Sequence, residues 1–96
     1  MTTDTGRFET PKARQFLQQL CKHFAHKTEA EWTGSSGRIA LSAGVVTLAA
    51  EGETLTASFE AGDDETRQRL RSVIDKHLAR FAFREDFAHM DWQTGA

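Results

Sequence analysis

Two stretches with helical apolar spacing enclose a central stretch in which apolar and polar residues alternate. In the first, apolar side chains recur every three or four positions at Ala13, Phe16, Leu17, Leu20, Cys21 and Phe24. In the second they recur at Leu70, Val73, Ile74, Leu78 and Phe81, with His77 near the middle, where a leucine is expected. This spacing predicts two amphipathic helices. Thr10 and Pro11 suit the cap and first position of one helix, and Asp63 suits the cap of the other.

The central stretch predicts a sheet. Alternation and turn glycines indicate strands at residues 29–32, 38–41, 45–50 and 54–61, with a flexible turn at 34–37. We expect a short edge strand at 7–9 and a final short strand around Trp92. The order β-α-β-β-β-β-α-β predicts a single α+β domain over residues 1–96. Its expected form is a two-layer sandwich, in which a mostly antiparallel sheet carries both helices on one face.

Composition indicates a globular chain with one core, since 39% of its 96 residues are hydrophobic and 27% are charged. A single cysteine excludes an intramolecular disulfide and favours a reducing compartment. The first ten residues contain no apolar signal, and no apolar run is long enough to span a membrane. We therefore expect a cytoplasmic domain of bacterial type that does not enter the membrane.

Charge is unevenly distributed along the chain. Residues 11–27 contain four bases and no acid, residues 29–65 contain eight acids and Arg38, and residues 66–84 contain six bases and Asp75. The predicted helices are thus basic and the sheet is mostly acidic. Basic faces attract anionic partners, although they also simply keep a small domain in solution. Nucleic acid is disfavoured as a partner because the net charge is −2 and tyrosine is absent.

The histidines raise the question of a metal site. Cys21 and His23 lie two residues apart, about 200° around a helix, and cannot share a metal there. His23 and His26 can share one, and His77 can join them if the helices pack side by side. In the alternative, His77 is neutral, buried and bonded to a carbonyl or carboxylate. Cys21, on the apolar stripe, is expected to be a small hydrophobic residue rather than a nucleophile.

Arg80 and Arg84, four residues apart, are expected on one side of the second helix, with Arg84 near its apolar stripe. As a structural feature, Arg84 would pair with Glu85, Glu9 or an acid of the sheet. As a functional one, both arginines would grip a carboxylate or phosphate, helped by His23 and Lys27. The two tryptophans, Trp32 and Trp92, are expected to lie on the sheet or to anchor a partner. Neither a phosphate loop nor a nucleophile elbow is present.

Two segments carry a family resemblance. Residues 20–27 read LCKHFAHK, and residues 77–85 read HLARFAFRE and are followed by Trp92. In these segments the chain resembles an uncharacterised bacterial family, a domain of unknown function. In some proteins a similar domain is joined to, or encoded near, siderophore-interacting flavin reductases. The resemblance implies an association with iron-siderophore handling and with a partner reductase, and it names no active residue.

Three functional hypotheses follow. The first is a small non-enzymatic binding or accessory domain for an anionic ligand or a metal chelate. Its site would comprise His23, His26, Lys27, His77, Arg80 and Arg84. The second is a small enzyme in which His77 and Glu85 exchange a proton with the substrate. The third is a structural or dimerising module whose motifs are core packing. No cofactor is indicated by the residues.

Overall fold

The structure, a computed structural model, describes residues 2–85 and 87–95. The elements are, in chain order, β1 (Thr2–Glu9), α1 (Ala13–Ala25), β2 (Glu29–Trp32), β3 (Ser36–Leu41), β4 (Gly44–Glu51), β5 (Thr54–Ala61), α2 (Asp64–Phe81), a 3₁₀ turn (Phe83–Glu85) and β6 (Asp91–Gly95). This order confirms the predicted α+β fold. In the described part of the chain, no helix is both long and apolar enough to cross a membrane.

The six strands form one sheet in the order β2-β3-β4-β5-β1-β6, and every neighbouring pair is antiparallel. Alternate residues of the inner strands point to one face, where they pack beneath both helices. The strand residues buried there include Ile39, Val46, Leu48, Leu55, Ala57 and Phe59. The opposite face carries the polar residues of the same strands, as expected for an antiparallel sheet with one covered side.

The first strand differs from its prediction. A short edge strand was expected at residues 7–9, whereas β1 spans Thr2–Glu9 and lies between β5 and β6. The reason is that Asp4 and Gly6 occupy positions on the covered face where apolar residues were expected. Their partners come from α2 and β6, so the local sequence contains no alternation that would reveal the strand.

The start of α1 also differs from its prediction. Thr10 is not the N-cap; the helix begins at Ala13, after a turn. The buried hydroxyl of Thr10 accepts the Lys12 backbone N–H at 3.1 Å and donates to the Glu85 carboxylate at 2.8 and 2.9 Å. Thr10 thus joins the entry of α1 to the exit of α2. By contrast, Asp63 caps α2 as predicted, accepting the Thr66 N–H at 2.7 Å.

The expected position of Arg84 near the apolar stripe is wrong. Helix α2 ends at Phe81, and the chain continues as a 3₁₀ turn, so helical spacing no longer relates Arg84 to Arg80. Arg84 is exposed, with its guanidinium 5.6 Å from the centre of the Phe83 ring. Within residues 2–85 and 87–95 it forms none of the ion pairs expected with Glu85, Glu9 or a sheet acid.

A glycine predicted in a turn lies in the core instead. The turn closes around the Thr33 hydroxyl, and Gly37 belongs to β3. A β-carbon on Gly37 would lie 2.6 Å from the Cys21 sulfur, so the two residues fit together only because glycine has no side chain. Cys21 is fully buried, and burial raises the pKa of its thiol to about 11. It therefore acts as a small hydrophobic residue, as the apolar stripe predicted.

Asp4 is the buried ionic centre of the fold. Its side chain is 0% exposed and accepts from Arg67 Nε at 3.1 Å, Arg71 Nε at 2.5 Å and the Thr94 hydroxyl at 2.8 Å. Burial alone would raise the pKa of Asp4. Hydrogen bonds from Arg71 and Thr94, together with the two arginine charges, outweigh burial and lower that pKa below its ordinary value. Asp4 thus stays ionised and links β1, α2 and β6.

Replacing Asp4 should be among the most destabilising changes in the protein. We expect Asp4→Ala to lower the free energy of unfolding at pH 7 by about 3–5 kcal/mol, because two arginines lose a buried partner. Urea unfolding followed by circular dichroism measures this. Glu65→Ala, which breaks the exposed pair with Arg69, should change stability by at most about 0.5 kcal/mol.

The same variant gives a pH test. Because the folded-state pKa of Asp4 is lowered, its contribution is present above the unfolded value of 3.8 and is lost as pH falls through the lower folded-state pKa. The stability difference between wild type and Asp4→Ala should therefore shrink below pH 3.8. A difference that stays constant to lower pH would contradict this assignment.

The fit between Gly37 and Cys21 predicts non-additive substitutions. We expect Gly37→Ala to cost about 1–3 kcal/mol through overpacking. Cys21→Ala in the same chain should recover part of that loss, because it removes the sulfur that the new methyl group meets. Gly34→Ala is the control, since a methyl group there has no heavy atom within 4 Å. Strict additivity in the double mutant would contradict the contact.

Candidate functional site

Aromatic rings join the end of α1 to α2. His23 and His77 lie with ring centres 5.0 Å apart, Phe24 lies 4.7 Å from His77, and Phe81 lies 6.1 Å from His23. His77 Nδ1 is 2.7 Å from the Val73 carbonyl and must donate, because a carbonyl only accepts. The half-buried His77 is therefore bonded to a carbonyl, as the alternative to a metal-binding role predicted. We call these four rings the helix-end cluster.

The predicted site is only partly assembled. The structure brings His23 and His77 into contact and places Lys27, Arg80 and His26 close enough to influence His23 electrostatically. His26 itself is exposed, and Arg84 is absent from this neighbourhood. No three histidine, cysteine, aspartate or glutamate side chains among the described residues could hold one metal ion. The structure therefore does not bring the three histidines together as a metal site within residues 2–85 and 87–95.

The charges around His23 all have the same sign. Its Nε2 atom is buried and has no hydrogen-bond partner among the described residues. The pKa of His23 is lowered, first by burial and then by the charges of His77, Lys27, Arg80 and His26. Among the described residues, every charged group that acts on this ring is thus basic. Protonation of His23 is disfavoured because it would add another positive charge to this set.

His77 and Glu85, the acid–base residues of the enzyme hypothesis, are each bonded to other groups. The Glu85 carboxylate accepts both of its side-chain bonds from the Thr10 hydroxyl, and His77 Nδ1–H is bonded to Val73. The two side chains share no hydrogen bond in the described structure. Glu85 instead ties the turn after α2 to the residues before α1, because its carboxylate accepts the Thr10 hydroxyl.

A second site was missed by the sequence reasoning. Asp75, on α2, accepts the Met90 backbone N–H at 2.9 Å and the Trp92 indole N–H at 2.9 Å. The Trp92 indole lies against Gly6, where a β-carbon would come within 2.8 Å of the ring. Asp75 holds the chain before β6 against α2. The one available signal was its position as the lone acid between residues 66 and 84.

Asp75 lines a cleft between α2 and the chain leading into β6, with a volume of about 430 Å³. We call this the α2–β6 cleft; its lining includes Ser72, Asp75, Lys76, Ala79, His89 and Trp92. Burial raises the pKa of Asp75, and the hydrogen bonds from Met90 and Trp92 oppose that rise without cancelling it. A shifted carboxyl group in a cleft of this size is typical of ligand sites.

Comparisons with known proteins identify a matching family and a similar solved structure. The model of the family described as "Uncharacterized protein conserved in bacteria (DUF2218)" matches residues 5–93. The NMR structure of PA4090 from Pseudomonas aeruginosa is similar, with a TM-score of 0.78 and 27% sequence identity. That likeness covers 97% of this chain and 96% of the other. None of the curated proteins matches the sequence.

The basic surroundings of His23 predict a measurable coupling. We expect His77→Gln to raise the pKa of His23, because the second imidazole then no longer opposes protonation. Titration of the imidazole signals by heteronuclear NMR measures the change. Arg14→Gln is the control: it removes an exposed base of α1 that does not act on His23. An unchanged or lower pKa of His23 in His77→Gln would contradict the assignment.

The same pKa shift has a consequence for stability. His23 is harder to protonate in the folded protein than in the unfolded chain. Its contribution to the free energy of unfolding therefore falls as pH decreases through the unfolded pKa of 6.5. The loss levels off below the folded-state pKa.

Proposed function

This chain belongs to the bacterial family whose model matches residues 5–93, and we propose that it is a small non-enzymatic binding domain for an anionic ligand. The proposed site surrounds the helix-end cluster. Its basic groups are His23, His26, Lys27, His77 and Arg80. Arg84, which the sequence placed in the same site, is left out of this proposal because it lies on the 3₁₀ turn beyond α2.

The observation that supports an anion is the uncompensated positive charge around His23. Elsewhere on α2, Arg67 and Arg71 pair with Asp4, and Arg69 pairs with Glu65. Within the described ranges, Lys27 and Arg80 pair with no acid. An anion bound here would supply the missing charge, and ammonium and guanidinium groups form strong charge-assisted hydrogen bonds with carboxylate and phosphate oxygens.

A metal would reach this site inside a chelate. Two contacting histidines offer too few ligands for a metal ion held by the protein alone. An anionic chelate brings its own ligands and needs only surface cations to hold it. An anionic iron chelate would fit the association with siderophore-interacting reductases that the sequence resemblance implies. The domain would then present the chelate to a partner reductase.

A second candidate function is that of a packing or dimerising module. It is favoured by the closeness of the rings in the helix-end cluster, where centres lie 4.7–5.0 Å apart around His77. In this case the rings fill the junction of α1 and α2, and the bases complement the negative carboxyl ends of the helices. The two candidate functions predict different responses of the protein to added anions.

An amide NMR titration distinguishes them. We expect inorganic phosphate, citrate or ferric citrate to shift the amides of His23, Lys27, His77 and Arg80 in a saturable manner. Arg80→Gln should weaken binding about tenfold or more, since it removes one charge-assisted hydrogen bond. Arg14→Gln, which makes the same charge change on α1 away from the site, should leave the affinity within about twofold.

Spectra that do not change with any of the three anions would contradict the binding proposal and favour the packing module. Equal loss of affinity in Arg80→Gln and Arg14→Gln would indicate attraction to the overall charge of the helices, with no defined site. That result would also contradict the proposal.

A further inference from the structure

The negative charges of Asp4, which is buried, and Asp75, which is half-buried, are balanced in different ways. Asp4 is paired with two guanidinium groups. Asp75 receives hydrogen bonds only from neutral donors, the Met90 backbone N–H and the Trp92 indole N–H. Within residues 2–85 and 87–95 no cation lies at ion-pair distance from Asp75. A half-buried carboxylate without a counter-charge is costly, and here it faces a cleft.

Asp75 also retains hydrogen-bonding capacity. Its Oδ1 accepts from Met90 N at 2.9 Å and from Trp92 Nε1 at 3.1 Å, whereas Oδ2 accepts only from Trp92 Nε1, at 2.9 Å. A carboxylate oxygen can accept two hydrogen bonds, so Oδ2 can accept a further donor beside Trp92 Nε1. The donors already in place fix the carboxylate, which means that an incoming group would meet an ordered acceptor.

We infer that the α2–β6 cleft binds a small molecule of the amino-acid class, which carries an ammonium group beside an acidic group. The ammonium would donate to Asp75 and supply its missing counter-charge. A cleft of about 430 Å³ lies within the range of small-molecule sites.

The other lining residues account for the acidic group of the ligand. Lys76 and His89 are exposed bases on the lining, on α2 and on the chain before β6 respectively. The His89 ring is fixed by its Nδ1–H, which donates to the Met90 carbonyl at 2.8 Å, and in the imidazolium form its Nε2–H would donate to the acidic group. Lys76 belongs to no ion pair among the described residues. Ala79 and Trp92 provide apolar contact for a side chain.

Arg71 does not already satisfy Asp75. Its Nε is bonded to Asp4 and its terminal nitrogen donates to Thr94 at 3.0 Å, while the guanidinium carbon lies 5.7 Å from the Trp92 ring centre. The charges of Arg71 and His89 act on Asp75 only at a distance. Arg71 therefore lines the cleft, but its guanidinium is already paired with Asp4.

This site is separate from the proposed anion site. Asp75 and His77 are two residues apart, which places them about 200° apart around α2. The cleft therefore lies on the side of α2 that faces β6, and the helix-end cluster lies on the side that faces α1. Either site can fail its test without affecting the other.

The test is an NMR titration of the full chain with each of the twenty standard L-amino acids, and then with derivatives of the best binder. We expect saturable shifts of the Trp92 indole N–H and the Met90 amide. The N-acetyl derivative, which has no ammonium group, should bind at least tenfold more weakly. The decarboxylated amine should bind severalfold more weakly. Trp32→Phe assigns the indole signal, since Trp32 and Trp92 are the two tryptophans of the chain.

Matched variants locate the interaction. Asp75→Asn should weaken binding at least tenfold, and its amide oxygen can still accept from Trp92, so the fold should persist. Asp91→Asn, an exposed neighbour that does not line the cleft, should bind like wild type. If Asp75→Asn does not fold, Lys76→Gln replaces it, and it should abolish the preference for the amino acid over its decarboxylated amine.

Several results would overturn the inference. One is the absence of any shift at Trp92 and Met90 with all twenty amino acids. Equal binding of the N-acetyl derivative would show that the ammonium group is not recognised. Equal weakening by Asp75→Asn and Asp91→Asn would show that the cleft is not where the ligand binds.

Discussion

The buried carboxylate of Asp4 ties the first and last strands of the chain to helix α2. It lies on β1, is paired with Arg67 and Arg71 of α2, and accepts the Thr94 hydroxyl of β6. Three elements far apart in sequence therefore meet at one charge. Because Asp4 is fully removed from water, losing its carboxylate would leave the largely buried Arg67 and Arg71 without their shared counter-charge. The pairing holds α2 against β1.

Close packing around two glycines completes the arrangement. Gly6 leaves room for the Trp92 indole, and Gly37 leaves room for the Cys21 sulfur. In each case a larger side chain from a distant element covers a strand position that has none. The Trp92 ring is then held by Asp75 through its indole N–H, so the packing of β6 and the position of a carboxylate in the α2–β6 cleft are set together.

Helix α2 separates two chemically different surfaces. Towards α1 it presents His77 to the helix-end cluster, and towards β6 it presents Asp75 to a cleft. Among the described residues, the charges that act on His23 are all basic, and no cation lies at ion-pair distance from Asp75. The two deficits have separate causes. Arg71, which lines the cleft, is held by Asp4, whereas among the described residues no acid acts on the pKa of His23.

The two helices, the four central strands, the cap at Asp63 and the burial of Cys21 could all be predicted from the sequence, because each follows from periodicity or from a local hydrogen bond. The same periodicity placed His77 on an apolar stripe.

The extent of β1, the role of Thr10, the place of Gly37 and the exposure of Arg84 became known only from the folded chain. Each of these depends on a partner dozens of residues away or on where a helix stops. The α2–β6 cleft belongs to the same group, since Asp75 meets Met90 and Trp92 only once β6 has paired with β1. Local patterns report which face a residue occupies, whereas long-range pairing decides what it meets there.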